Sequence, residues 1–164
     1  MKKTVFTRSM ILVILTLFVL AVSGCNMELN NRNNQYVADV KKLVNDSVNY
    51  TRKLRQQDEA FDCKDSEKLR GYLLAADDLI NTLEKIQKLR PSDEFDDMDD
   101  QLKKDSKNAL TLISQIKAMV VYAGENGDDS IYRREKDDYF SIYYDYYDSM
   151  KNISSAIQTY WRNA

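Results

Sequence analysis

Apolar residues recur at three- and four-residue steps in four stretches that follow residue 34. This spacing is typical of amphipathic α-helices that bury one face. The recurring positions are Val37, Val40, Val44, Ser47, Thr51 and Leu54 in the first stretch, Leu69, Leu73, Ala76, Ile80, Leu83 and Ile86 in the second, Phe95, Met98, Leu102, Ala109, Ile113, Ile116, Val120 and Ala123 in the third, and Tyr139, Ile142, Tyr146, Met150, Ile153, Ile157 and Tyr160 in the fourth. Because no stretch sustains a two-residue alternation, the pattern predicts an all-α fold without a sheet.

Three polar breaks separate the stretches. In the first, FDCKDSE, Asp65 or Ser66 can cap the second helix by accepting a hydrogen bond from its free amides. Pro91 is the only proline and ends the second helix, after which Ser92 can cap the third. In the third break, GENGDDS at 124–130, a glycine can supply a positive φ and a following aspartate or serine can cap the fourth helix.

The four predicted helices of about 25–30 residues, joined by short links, favour an antiparallel up-down-up-down four-helix bundle. The mixed three- and four-residue spacing favours near-parallel, coiled-coil-like packing. An even number of helices places both ends of the bundle chain at one end, together with the Pro91 turn. The loops around Cys63 and around residues 124–127 are expected at the opposite end.

The first 24 residues form a separate segment. Lys2, Lys3 and Arg8 make it basic, it contains no acidic residue, and residues 10–22 are apolar except for Thr16. A basic start followed by a short apolar run is typical of a secretory signal peptide. The run is short for a permanent membrane span, which needs about 20 apolar residues.

The end of this segment, Val22-Ser23-Gly24-Cys25, resembles the lipobox of bacterial lipoproteins. The resemblance implies that a diacylglycerol is attached to the Cys25 sulfur and that a peptidase cleaves between Gly24 and Cys25. Two acyl chains anchor a protein stably where one is marginal. The alternatives are an ordinary signal peptide with an incidental cysteine, or an uncleaved anchor.

Residues 26–34, NMELNNRNN, are rich in asparagine and lack an apolar period. We expect them to form a flexible tether. The predicted organisation is therefore a signal peptide at 1–24, a lipidated tether at 25–34 and a bundle domain at 35–164. The lipobox implies a location on the extracytoplasmic face of the cell membrane.

Charge and composition exclude several function classes. Residues 1–24 hold three basic and no acidic residues, which leaves 21 basic and 26 acidic residues and a formal charge of −5 in the remaining 140. This argues against binding nucleic acid through its phosphates and against general adhesion to anionic lipid. The chain has no histidine, the commonest general base and zinc ligand. Without a phosphate loop, a nucleophile elbow or a paired-cysteine motif, we predict no enzyme, no catalytic residue and no cofactor.

Two further features are weak site candidates. The acidic stretch SDEFDDMDD at 92–100 has oxygens that calcium prefers, but it lacks the glycine and spacing of an EF-hand loop. Acids are also favoured in a first helical turn, so we predict no metal site. Cys63 has no intramolecular partner if Cys25 is acylated, and it is either an inert thiol or an intermolecular bridge.

The aromatic stretch YFSIYYDYYDSM at 139–150 is the candidate interaction surface. Helical spacing points Tyr139, Ile142, Tyr143, Tyr146 and Met150 inward, where tyrosines can fill a core and keep their hydroxyls at its polar edge. The same spacing places Phe140 and Tyr147 at the edge and Tyr144 outside. These three could stack on a sugar ring or seat a partner helix.

The composition rich in Asn, Lys, Tyr, Ile and Asp, and the LRPSDEF break before a long third helix, resemble small helical lipoproteins of low-GC Gram-positive bacteria. The resemblance implies a fold and a membrane address but no activity. We expect a non-enzymatic binding or interaction module whose partner is an unidentified protein or a component of the cell wall. A mobile element or phage is considered as the source of its gene. The alternative is a lipoprotein that binds a cell-wall sugar or small solute through the aromatic surface.

Overall fold

The computed structural model describes the backbone of residues 3–91 and 93–163, and the side chains of residues 29–91 and 93–163. These residues form four α-helices: α1 (Lys3–Glu59), α2 (Ser66–Gln87), α3 (Asp96–Asn126) and α4 (Ser130–Asn163). A 3₁₀ turn at Asp93–Phe95 precedes α3. No β-strand occurs in the described backbone, so the predicted all-α class is confirmed.

The helices pack in chain order, α1 on α2, α2 on α3 and α3 on α4, and α4 closes the ring by packing on α1. The Arg32 Nη2 donates to the carbonyl oxygen of Pro91 at 3.2 Å, and the Trp161 Nε1 donates to Asn34 Oδ1 at 2.7 Å. These contacts bring the start of the bundle, the Pro91 turn and the end of α4 together. We call this the base end (residues 29–36, 88–99 and 157–163), and the opposite end the distal end (residues 55–72 and 120–136).

The predicted caps agree with the structure at the start of α2 and at the turn between α3 and α4, whereas α2 ends at Gln87, before Pro91, and α3 begins after Phe95, which has no side-chain cap hydrogen bond. Asp65 caps α2 by accepting from the amides of Glu67 and Lys68 at 3.0 and 3.2 Å, and these backbone hydrogen bonds lower the pKa of the Asp65 carboxyl. Gly127 ends α3 in the left-handed conformation, with φ 64°. Asp128 accepts from the amide of Ser130 at 2.9 Å at the start of α4. Ser92, the predicted cap of the third helix, lies outside the described residues.

The predicted buried faces of α1 and α3 agree closely with the structure, whereas those of α2 and α4 are rotated by about one residue. In α4 the predicted face is wrong at Ile142 and Tyr160, which are 48% and 47% exposed. The residues buried instead are Tyr132, Phe140, Tyr143, Met150, Ser154 and Ile157. Apolar or aromatic residues occupy most positions from 139 to 147, so several rotations of this helix would bury similar hydrophobic area.

The predicted flexible tether differs from the structure, in which α1 continues through residues 25–34 without a break. The Asn33 side chain is only 1% exposed, and its Nδ2 donates to Glu94 Oε2 at 3.1 Å. With the bond from Arg32 to the Pro91 turn, these contacts stabilise helix in a segment whose asparagines have low intrinsic helix propensity. The packed bundle therefore begins before residue 35. Within the described part of the chain, no helix is both long and apolar enough to span a membrane.

Candidate functional site

The three residues of the predicted aromatic surface have different environments in α4. Phe140 is 2% exposed, so its assignment to the surface is wrong. Its ring packs inside the bundle, with the Arg55 guanidinium carbon of α1 5.5 Å from the ring centroid. Tyr144 and Tyr147 are half-buried, and each keeps part of its ring accessible. The candidate surface is therefore reduced to these two residues, which we call the tyrosine pair.

The tyrosine pair is held by ring stacking. The ring centroids of Tyr144 and Tyr147 lie 6.1 Å apart with an interplanar angle of 88°, an edge-to-face arrangement. The buried ring of Tyr143 lies 5.6 Å from Tyr144 and 6.1 Å from Tyr147. The Lys151 Nζ lies 5.1 Å from the centroid of Tyr147, which adds a cation–π contact. Burial is the largest cause that raises the pKa of the Tyr144 hydroxyl above its ordinary value.

Tyr143 fixes the tyrosine pair to the first helix. Its hydroxyl lies 2.5 Å from the Thr51 Oγ1, and the Thr51 hydroxyl itself donates to the carbonyl oxygen of Ser47 at 2.7 Å. The Tyr143 hydroxyl is therefore the donor to Thr51. Burial raises the pKa of Tyr143, so the donor keeps its proton. The tyrosine pair therefore packs on a ring, Tyr143, that is hydrogen-bonded to α1. Because its two tyrosines are held in place and partly exposed, they can contact a partner with a small loss of conformational entropy.

The distal end contains a buried polar network that the sequence analysis did not find. The Asp58 side chain is 4% exposed, accepts a hydrogen bond from the Tyr132 hydroxyl, and lies 3.1 Å from the Lys136 Nζ. The Arg55 Nη1 lies 3.6 Å from the same carboxylate. The Tyr72 and Tyr132 hydroxyls are 3.1 Å apart, and burial is the largest cause that raises the pKa of both. This carboxylate is fully compensated by neighbouring donors, which suits a structural role.

The base end contains a second polar cluster. The Tyr36 hydroxyl donates to Asp99 Oδ1 at 2.8 Å, and the Lys103 Nζ lies 2.5 Å from Asp99 Oδ2. Burial and the Asp99 carboxylate raise the pKa of Tyr36. The buried Asn33 Oδ1 has no hydrogen-bond partner among the described residues. In the same described part of the chain, no three cysteine or carboxylate side chains are placed to hold a metal ion, and most acids of the 93–100 stretch are exposed.

Three depressions in the described surface are shallow and largely polar. The first, about 340 Å³, lies at the base end and is lined by Arg32, Gln35, Tyr36, Asp39, Lys88, Leu89 and Arg90. The second, about 340 Å³, is lined by Asp46, Asn49, Tyr50, Arg52 and Lys53 of α1. The third, about 320 Å³, is lined by Asn30, Asn34, Glu94 and Trp161. The tyrosine pair lines none of these three.

Of the two cysteine side chains, the structure describes only that of Cys63. The Cys25 side chain, the predicted lipidation site, lies outside the described side chains. Cys63 lies in the loop between α1 and α2 and is 8% exposed. This burial favours the inert thiol over an intermolecular bridge.

No protein-family model matches this chain, and no curated protein or solved structure matches it. The functional argument therefore depends on its own residues and geometry.

Proposed function

We propose that this chain is a surface lipoprotein anchored to the extracytoplasmic face of the cell membrane, and that its helical bundle is a non-enzymatic interaction module. The observation that carries the proposal is the sequence Val22-Ser23-Gly24-Cys25 directly after a basic start and a short apolar run. The fold is compatible with this arrangement, because Cys25 lies on the same helix as the bundle and is four residues before Leu29, near the base end.

The tyrosine pair is the contact surface that we propose for a protein partner. Its rings are fixed by stacking on Tyr143 and remain partly accessible. A partner helix suits the tyrosine pair better than a sugar does, because carbohydrate and solute sites are usually concave. The three depressions described above do not include either tyrosine of the pair.

Intact-mass analysis of the protein extracted from bacterial membranes tests the anchor. The mass should correspond to a chain that begins at Cys25 and carries a diacylglycerol. The Cys25→Ser variant should keep the signal peptide, because the acceptor thiol is missing. A wild-type chain that begins at Met1, or that has an unmodified Cys25 thiol, would contradict the proposal.

Crosslinking on live cells, with mass spectrometry of the captured proteins, tests the interaction surface. The Tyr144→Ser/Tyr147→Ser variant should lose the crosslinked partner while its helical circular dichroism is unchanged. The matched control is Tyr122→Ser on α3, which removes a tyrosine that is 47% exposed but lies away from the pair. Equal capture by all three proteins would show that the pair serves packing alone.

A further inference from the structure

We infer that the base end of the bundle docks on the membrane surface and that the depression around Arg32, Lys88 and Arg90 binds the phosphate of an anionic phospholipid headgroup. This inference rests on the proposed lipid anchor at Cys25. It adds a second, non-covalent contact that orients the bundle relative to the bilayer.

The continuous helix α1 places this depression close to the proposed anchor. Cys25 and Arg32 are seven residues apart on α1, which at 1.5 Å per residue is about 10 Å along the axis. Helical side chains lean toward the N terminus, so Arg32 leans back toward Cys25. Long basic side chains also extend readily toward headgroups from such a distance. A flexible tether would leave the orientation free, whereas an unbroken helix holds the base end near the bilayer.

The depression has the charge that a phosphate requires. Arg32, Lys88 and Arg90 are exposed and line it, and Asp39 is the one carboxylate among the described residues of its lining. The Lys88 Nζ lies 4.0 Å from Glu84 Oε2, and the Lys88 side chain is 76% exposed. The Arg32 guanidinium is positioned by its hydrogen bond to the Pro91 carbonyl oxygen at 3.2 Å. Asp39 is engaged by Gln35, whose Nε2 donates to its Oδ1 at 2.9 Å. Among the described residues, no carboxylate lies within 4.0 Å of the Arg32 or Arg90 guanidinium.

Aromatic and apolar side chains at the same end fit the membrane interface. Trp161 is half-buried and Tyr160 is 47% exposed, and both rings pack edge-on against Phe95. Leu29, between Cys25 and Arg32, is 38% exposed. Tryptophan and tyrosine are favoured at the level of lipid headgroups, where one side of the ring meets apolar chains and the polar atom meets water.

The negative charge of the whole chain does not oppose this contact, because the charges at the base end are divided. The cations lie where α1 meets the end of α2, whereas the exposed acids Asp93, Glu94, Asp96 and Asp97 lie in the turn before α3 and in its first residues. Anionic lipid is therefore attracted to the α1–α2 side of the base end, and Trp161, which lies beside Glu94, reports on the approach of the whole base end to the bilayer. Because electrostatic attraction falls off within about 8 Å at physiological salt, the three cations act on a headgroup that lies at the depression itself.

Trp161 is the only tryptophan and serves as a reporter at the base end. The acylated protein is reconstituted in vesicles of phosphatidylcholine alone, or of phosphatidylcholine and phosphatidylglycerol in equal amounts, each with brominated acyl chains as quencher. We expect stronger quenching of Trp161 in the mixed vesicles. Arg32→Gln/Lys88→Gln/Arg90→Gln should reduce the ratio of docked to undocked protein by on the order of a hundredfold.

The matched control removes three exposed cations from the distal end, Lys64→Gln/Arg70→Gln/Arg134→Gln, and should keep the wild-type quenching.

Co-flotation with the vesicles and intact mass separate the two proposals. A lipidated, co-floating protein whose Trp161 quenching is the same in both vesicle types overturns the docking alone. A chain without diacylglycerol on Cys25 overturns the anchor, and the docking with it. Equal loss of quenching in the base-end and distal-end triple variants would also overturn the docking, because it would show a general charge effect.

Discussion

The two ends of the bundle satisfy their buried polar groups to different degrees. At the distal end, Asp58 has three partners from two helices, and its neighbours Tyr72 and Tyr132 are packed edge-to-face with centroids 5.8 Å apart. Phe61 packs on both tyrosines, at 5.5 and 4.6 Å. At the base end, the buried Asn33 Oδ1 has no partner among the described residues, and two shallow depressions lie beside α1.

This difference indicates which end has a stabilising role and which is available for contact. A network of buried, mutually bonded side chains fixes the helices at one end, because removing any member leaves another group without a partner. The base end has a smaller network, in which Tyr36 and Lys103 contact the buried Asp99, and it also has exposed basic and aromatic groups. We therefore expect the largest effects on stability from substitutions at the distal end, and effects on surface contacts from substitutions of exposed residues at the base end.

The largest expected effect is at Asp58. Asp58→Ala removes a buried carboxylate and leaves the Lys136 ammonium and the Tyr132 hydroxyl without their shared acceptor. We expect the free energy of unfolding to fall by about 3–5 kcal/mol, as measured by denaturant titration with circular dichroism.

Asp137→Ala is the matched control for this measurement. Asp137 lies 3.2 Å from the same Lys136 Nζ, but its side chain is 77% exposed. Because exposed ion pairs contribute little, its removal should cost less than about 1 kcal/mol. Equal effects of the two substitutions would show that burial of Asp58 does not stabilise the distal end.

Alkaline pH should destabilise the protein, and more through the distal end than through the base end. Burial is the largest cause that raises the pKa of Tyr72, Tyr132 and Tyr36. From about pH 10 the unfolded tyrosines lose protons while the folded ones keep theirs, so the unfolded state binds fewer protons and stability falls as pH rises. Each such tyrosine contributes about 1.4 kcal/mol per pH unit while only the unfolded form titrates.

The contributions of the two ends can be separated with phenylalanine variants. Tyr72→Phe/Tyr132→Phe should reduce the alkaline slope of the unfolding free energy about twice as much as Tyr36→Phe, because two titrating groups are removed instead of one. Tyr122→Phe, at an exposed position of α3, is the control for loss of a hydroxyl. A slope that is the same in all four proteins would contradict the linkage.

The sequence predicted the helices, the breaks and the order of packing because these depend on local signals. Asp65 and Gly127 are residue types that favour helix ends, so each marks a boundary within a few residues of sequence. In α1 and α3 the apolar positions are spaced by polar residues, so the pattern indicates one buried face. The three- and four-residue spacing in α1 also predicted that Ser47 and Thr51 are buried, which the structure confirms. In α4 the aromatic residues surround the helix, and the choice of Phe140 as a surface residue failed for that reason.

The polar contacts could not be predicted because their partners are distant in sequence. Asp58 lies in a charged stretch that gives no sign of burial, and its partners Tyr132 and Lys136 are 74 and 78 residues away. The prediction of a flexible tether at 25–34 failed for the same reason, because Asn33 is held by a hydrogen bond to Glu94, 61 residues later in the sequence. Composition described the local preference of each segment, and the tertiary contacts then decided its structure.

The smallest expected effect concerns the unsatisfied group at the base end. Asn33→Leu replaces a buried amide, 1% exposed, by an apolar side chain of similar size. It removes the carbonyl without a partner, which costs about 1–3 kcal/mol when buried, and it also removes the hydrogen bond to the exposed Glu94. We expect a net gain of about 1 kcal/mol in the free energy of unfolding.

Asn34→Leu distinguishes this effect from a general preference for leucine in α1. Asn34 is exposed and accepts the 2.7 Å hydrogen bond from Trp161, so its replacement should leave stability unchanged or slightly lower. Calorimetry of both variants in the same detergent gives the comparison. If Asn33→Leu instead destabilises the protein by more than about 1 kcal/mol, the Asn33 carbonyl is hydrogen-bonded in solution. The base end would then be as fully satisfied as the distal end, and the contrast between the two ends would rest on charge alone.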